Sequence, residues 1–190
     1  PCFGEESLQK VYDRDDVEVE WMDPDIKQLS KEMTSRYDAI LLNLPKANKD
    51  CVEGKDCKLK IISRFGVGYD SVDVEAMKEK NIIVTNTPNA VRRPVAVAAL
   101  TFVFALSGKL FVKDDLVRSG KWNDRTNHMG FGLTNKVLGV IGCGSIGSEL
   151  IKLSTNFFGK IISYDPFVSE TEMNKKGAKK VGFLDLAKQS

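Results

Sequence analysis

Gly142-Cys143-Gly144-Ser145-Ile146-Gly147 places three glycines at the spacing with which a backbone turn can embrace a phosphate. The first glycine permits a tight turn, the second lets backbone approach a pyrophosphate, and the third lets a helix lie close on the preceding strand. Spacing alone is a weak signal, so the flanks matter. Residues 137–141 form an apolar run leading into the turn, and an amphipathic helix is expected directly after it. Ser145 and Ile146 would then stand at a helix N-terminus, whose unpaired N–H groups and positive dipole end favour anions. A second strand ends in Asp165, eighteen residues after Gly147, where a carboxylate can accept from ribose hydroxyls. No arginine follows in Pro166-Phe167-Val168-Ser169 to meet a 2′-phosphate. The residues predict NAD rather than NADP, held by Gly142, Gly144, Ser145, Ile146, Gly147 and Asp165. The alternative is a corner whose glycines serve packing alone, with Asp165 capping the next helix.

A second glycine pair, Gly66-Val67-Gly68, can expose successive N–H groups as an anion-binding concavity. A plain strand-to-helix turn without a ligand is the competing reading. Asp70 and Asp73 follow at positions suited to helix caps rather than acid–base work. The four cysteines, Cys2, Cys51, Cys57 and Cys143, and the one histidine, His128, do not make a zinc set, so no metal is expected. A Cys51–Cys57 disulfide is conceivable, but scattered single thiols point to a reducing, cytoplasmic setting.

The elements that would position these groups alternate between strands and helices, the mark of an α/β fold with parallel sheets. Strands are expected at 17–21, 39–42, 59–63 and 82–84, with helices at 26–36 and 72–80. The first residues, 1–4, read as a loop. The turn chemistry of Asn86-Thr87-Pro88-Asn89 interrupts the pattern. A long helix then opens near Pro94 and runs to 106, apolar nearly all round and so expected to be buried. A second helix spans 113–119 and ends at Gly120. The polar loop 121–134 would be anchored by Trp122 and Phe131. Strand 137–141, helix 146–158, strand 161–164, helix 169–177 and strand 180–183 complete the pattern. The division gives residues 1–91 and 92–190 as domains.

With 28 basic and 26 acidic side chains the net charge is only +2, which gives no electrostatic case for nucleic acid. The apolar run 95–106 is too short to span a bilayer.

Arg64-Phe65-Gly66-Val67-Gly68-Tyr69-Asp70-Ser71-Val72-Asp73, then Thr85-Asn86-Thr87-Pro88, then the glycine turn with Tyr164-Asp165-Pro166, resemble the D-isomer-specific 2-hydroxyacid dehydrogenases. The resemblance implies a flavodoxin-like substrate domain followed by a partial Rossmann NAD-binding domain. It implies hydride transfer between NAD(H) and C2 of a 2-oxo or 2-hydroxy acid, with the carboxylate held by N–H groups at Val67 and Gly68. Which acid is not legible. Ser145 stands where the family usually has arginine, and Val97 where it commonly has glutamate. Arg92, in place of a usual Ser or Thr, is expected to restore part of the lost charge at the phosphates; a solvated pair with Arg93 is the alternative. The family's catalytic arginine and its histidine–glutamate pair lie further on than this chain extends, and His128 precedes the turn. The chain is therefore expected to be truncated at both ends and catalytically silent, with partial, weak cofactor binding. A non-catalytic NAD sensor or corepressor-like partner of the same fold is the rival. The region from 95 to 119 resembles the surface through which family members form homodimers.

Overall fold

The computed structural model describes residues 5–190, so the expected opening loop at 1–4 lies outside the described residues. The chain divides into two compact units that meet between Asn86 and Thr87.

The first unit begins with a helix absent from the sequence reading, α1 (Glu5–Tyr12). It continues with α2 (Lys31–Arg36), β1 (Ala39–Leu42), β2 (Ile61–Arg64), α3 (Val74–Glu79) and β3 (Ile83–Thr85). The strands form a parallel sheet in the order β1-β2-β3, with Ile40, Ile62 and Val84 in register. Leu29, Ile40, Leu42, Val52, Ile62 and Met77 make the core. Leu41 and Ile83 remain 51% and 61% exposed, so the apolar character of these strands exceeds what this unit buries.

Residues 17–21 are not a strand. Val17, Val19 and Trp21 are exposed, and no ladder forms along them. The expected helix at 26–36 begins only at Lys31, because the Ser30 hydroxyl caps it by accepting from the Met33 N–H at 3.3 Å. The chain before it extends instead, and the Leu29 N–H donates to the Lys46 carbonyl.

Within α2, Thr34 is buried and its hydroxyl donates to the Cys51 carbonyl at 2.5 Å. Thr34→Val keeps the shape but orphans that carbonyl. It should lower unfolding stability by about 1–3 kcal/mol, read as a fall in the urea midpoint at constant slope. Cys51 and Cys57 are free thiols rather than a disulfide, and burial pushes the Cys51 thiol up to about 11.

The second unit comprises α4 (Arg92–Ser107), α5 (Leu110–Arg118), a 3-10 turn (Trp122–His128), β4 (Val137–Ile141), α6 (Ser145–Ser154), β5 (Lys160–Tyr164), α7 (Glu170–Lys175), β6 (Lys179–Lys180) and α8 (Phe183–Gln189). Its sheet is also parallel, in the order β4-β5-β6. Val140, Ile151, Ile161 and Met173 pack between sheet and helices. The expected strand at 180–183 shrinks to Lys179–Lys180, and Phe183 opens α8.

The long helix departs most from expectation. It buries Ala96, Leu100, Ala105 and Ser107, while Phe102 and Leu106 stand 65% and 71% exposed. It packs against α6, and much of its bulky apolar surface remains exposed. Lys109, in the left-handed region, breaks it from α5, and the two axes differ by 60°. Among the described residues no single helix is long and apolar enough to cross a membrane. Trp122 and Phe131 are not buried anchors: both are about half exposed, and each carries a cation, Arg125 and Lys136 respectively, over its ring.

Candidate functional site

Strand β4 delivers the chain to the glycine turn, and the Gly142 N–H still donates to the Tyr164 carbonyl at 2.8 Å, extending the ladder to β5. At Gly142 φ is +89°, a conformation that side chains disfavour. A Cβ at Gly147 would stand 1.9 Å from the Gly142 carbonyl oxygen, so the third glycine is what closes helix onto strand. Around Gly144 there is open space, with no atom within 4 Å of a would-be Cβ. Gly144 is the N-cap of α6, followed by Ser145 and Ile146 in its first turn. The turn therefore needs glycine at Gly142 for its positive φ and at Gly147 for the close approach of backbone, while Gly144 is bound by neither constraint and has open space about it.

Asp165 follows β5 and is nearly buried at 9% exposure. Its Oδ2 accepts from the Cys143 N–H at 2.8 Å, and its Oδ1 accepts from the N–H groups of Phe167 (2.8 Å) and Val168 (3.2 Å). These bonds, that from Cys143 foremost, hold the carboxyl below its ordinary value against the opposing effect of burial. The acid thus joins the glycine turn to the loop entering α7. That helix itself is capped by Ser169, in a reciprocal box with Glu172.

Arg92 and Arg93 open α4 and both face Glu149 on α6, Arg93 at 2.8 Å and Arg92 at 3.9 Å. They are not a merely solvated pair. Cys143, small and fully buried in the turn, has its carbonyl held by the Ser148 hydroxyl and the Lys176 ammonium. Ser148, Glu149 and Lys176 carried no sequence signal, since none is a glycine of the turn and their partners, the Cys143 carbonyl for Ser148 and Lys176 and the two arginines for Glu149, are set by the fold.

In the first unit, Gly66 has φ of +134°, and a Cβ there would stand 2.1 Å from the Arg64 guanidinium packed against it. Arg64 Nε is buried without a hydrogen bond. The Val67 carbonyl accepts from the Asn86 side chain at 2.9 Å, so Asn86 braces the 66–68 loop. Asp73 caps α3 through the Ala76 N–H, as its position suggested; Asp70 remains in the turn before it. His128 sits in the 3-10 turn, and no set of metal-ligating side chains occurs among the described residues.

Relatives give this architecture its place. The chain is 33% identical to the glyoxylate reductase of Thermococcus litoralis over 199 aligned positions, covering all of this chain and 59% of that protein. It is 34% identical to the hydroxypyruvate reductase of Thermotoga maritima, with coverage of 90% and 55%. The D-lactate dehydrogenase of Aquifex aeolicus, solved in complex with NAD and lactic acid, superposes with a TM-score of 0.80 at 24% identity, over 98% of this chain and 55% of that one. The chain spans somewhat over half the length of these proteins. A family profile described as D-isomer specific 2-hydroxyacid dehydrogenase, catalytic domain, matches residues 3–180. With nearly its whole length so matched, the chain belongs to the D-isomer specific 2-hydroxyacid dehydrogenase family.

Proposed function

We propose that residues 92–190 hold the adenosine-diphosphate part of NAD and that residues 1–91 hold a 2-oxo or 2-hydroxy acid by its carboxylate. The former would be part of a Rossmann domain and the latter a flavodoxin-like domain, acting in hydride transfer at C2 of the acid. The observation that carries this reading is the pairing of an open Gly144 with an ionised Asp165 across one turn. Bound NAD would supply the hydride acceptor; the chain supplies its grip. Gly144, Ser145 and Ile146 offer N–H groups at the head of α6 to the pyrophosphate. Gly142 and Gly147 let the turn close beneath it. A carboxylate has about four acceptor positions, and backbone takes three at Asp165. The one left, on Oδ2, suits a ribose hydroxyl and repels a 2′-phosphate. Arg92, steadied by Glu149, adds positive charge beside α6.

At the substrate loop, Val67 and Gly68 offer N–H groups to the carboxylate. Asn86 supports this by fixing the Val67 carbonyl, which turns the following N–H the opposite way. The Arg64 cation lies against the same loop and favours an anion there. Hydride transfer to a carbonyl also needs a proton donor near neutral pKa, and His128, on its 3-10 turn, is not placed in either loop. These residues are therefore expected to bind cofactor without turnover.

Calorimetry with NAD and NADP tests the assignment. NAD should bind more tightly, and a mixture of NADH with a 2-oxo acid should show no loss of NADH absorbance. Equal binding of both cofactors, or none, would overturn it.

Phe102 and Leu106 on α4 and Leu110 and Phe111 on α5 are exposed bulky apolar side chains of the kind found where proteins pair. A second copy of the chain is the proposed occupant. Sedimentation should report a dimer, and Phe111→Glu should convert it to a monomer.

A further inference from the structure

The Cys143 carbonyl is held from two sides. Ser148 Oγ donates to it from α6 at 2.9 Å, and Lys176 Nζ donates from just beyond α7 at 2.8 Å. A carbonyl oxygen has two lone pairs, so both are taken. A single hydroxyl would satisfy the backbone group. The lysine is drawn in as well, although immobilising so long a side chain costs entropy.

The direction of that carbonyl matters for the next donor along the chain. In a trans peptide the C=O of one residue and the N–H of the next lie in one plane and point opposite ways. Holding the Cys143 carbonyl toward α6 and α7 therefore aims the Gly144 N–H the other way. The Cys143 N–H itself is spent on Asp165. Open space also lies beside Gly144.

We propose that Lys176 and Ser148 are positioning residues for the cofactor's pyrophosphate: by clamping the Cys143 carbonyl they orient the Gly144 N–H toward a phosphate oxygen. The ammonium stays beside the turn and adds to the attraction for an anion without touching it. This inference rests on reading the turn as a dinucleotide grip.

The test compares ADP with adenosine, which shares the ribose and base but has no phosphate, using ligand-observed NMR titrations of the full chain. K176M should weaken ADP on the order of tenfold, as expected for loss of a charged hydrogen bond, and leave adenosine within about twofold. S148A should show the same pattern at smaller size, and K176R should recover most of the ADP affinity. A clamp that served only the fold would weaken both ligands together, and that result overturns the proposal, as does unchanged ADP binding in K176M. S148A carries the same test if K176M does not fold. Failure of the unmodified protein to bind ADP is a different result, and it removes the dinucleotide reading on which the clamp depends.

Discussion

Gly147→Ala is expected to destabilise the second unit by ~3 kcal/mol, the upper end of what overpacking usually costs. The added methyl would stand 1.9 Å from the Gly142 carbonyl oxygen, which is backbone and has no rotamer through which to retreat. Relief would require α6 to lift from β4, which also moves the N–H groups at its head. Both thermal stability and ADP binding should therefore fall. Gly144→Ala makes the contrast. Its Cβ meets no atom within 4 Å, and its φ of −72° is open to any residue. The unfolding midpoint should stay put while ADP binding drops, because the methyl enters the space where phosphate would come. Differential scanning calorimetry beside ligand titration separates the two. Equal stability losses for both variants would refute the division between a packing glycine and a ligand glycine.

Asp165→Ala should cost NAD affinity on the order of tenfold or more, since the variant loses an ionised acceptor for the ribose. NADP should lose less, so the preference between the cofactors narrows. The same residue predicts a pH dependence. Hydrogen bonds from Cys143, Phe167 and Val168 lower its folded-state pKa, whereas in the unfolded chain it titrates near the ordinary value of about 4. Stability from the ionised form is thus fully present above that range and is lost as pH falls through the depressed folded value. Acid unfolding followed by circular dichroism should begin at higher pH in Asp165→Asn than in the unmodified protein. Coincident acid transitions would show that the carboxylate is not holding the turn.

The glycine turn was legible because its requirements are local. Gly142 needs a positive φ, Gly147 needs a missing Cβ, and both needs are written in residue type at fixed spacing. Strand Val137–Ile141 was legible for the same reason, as an apolar run ending in a turn. Asp73 was readable as a cap from its place at a helix start. What escaped depends on partners distant in sequence. Residues 17–21 alternate like a strand, but a strand exists only where a ladder meets it. The exposure of Phe102 and Leu106 depends on which side of α4 packs against α6, a choice that hydrophobicity along one helix does not make. Lys176 reaches Cys143 across thirty-three positions, and its side-chain type says nothing about where it ends.

Asp165 carries an implication for redesign. Its three backbone bonds mean that the side chain proposed to choose the ribose also fixes how the chain enters α7. On that proposal, cofactor choice and foldability are not independent variables at this position. A variant library aimed at accepting the phosphorylated cofactor by changing residue 165 alone should be dominated by poorly expressed proteins. Productive routes should keep the backbone bonds of residue 165 and offset its repulsion of a 2′-phosphate with a new cation nearby, with exposed Phe167 as the first position to diversify.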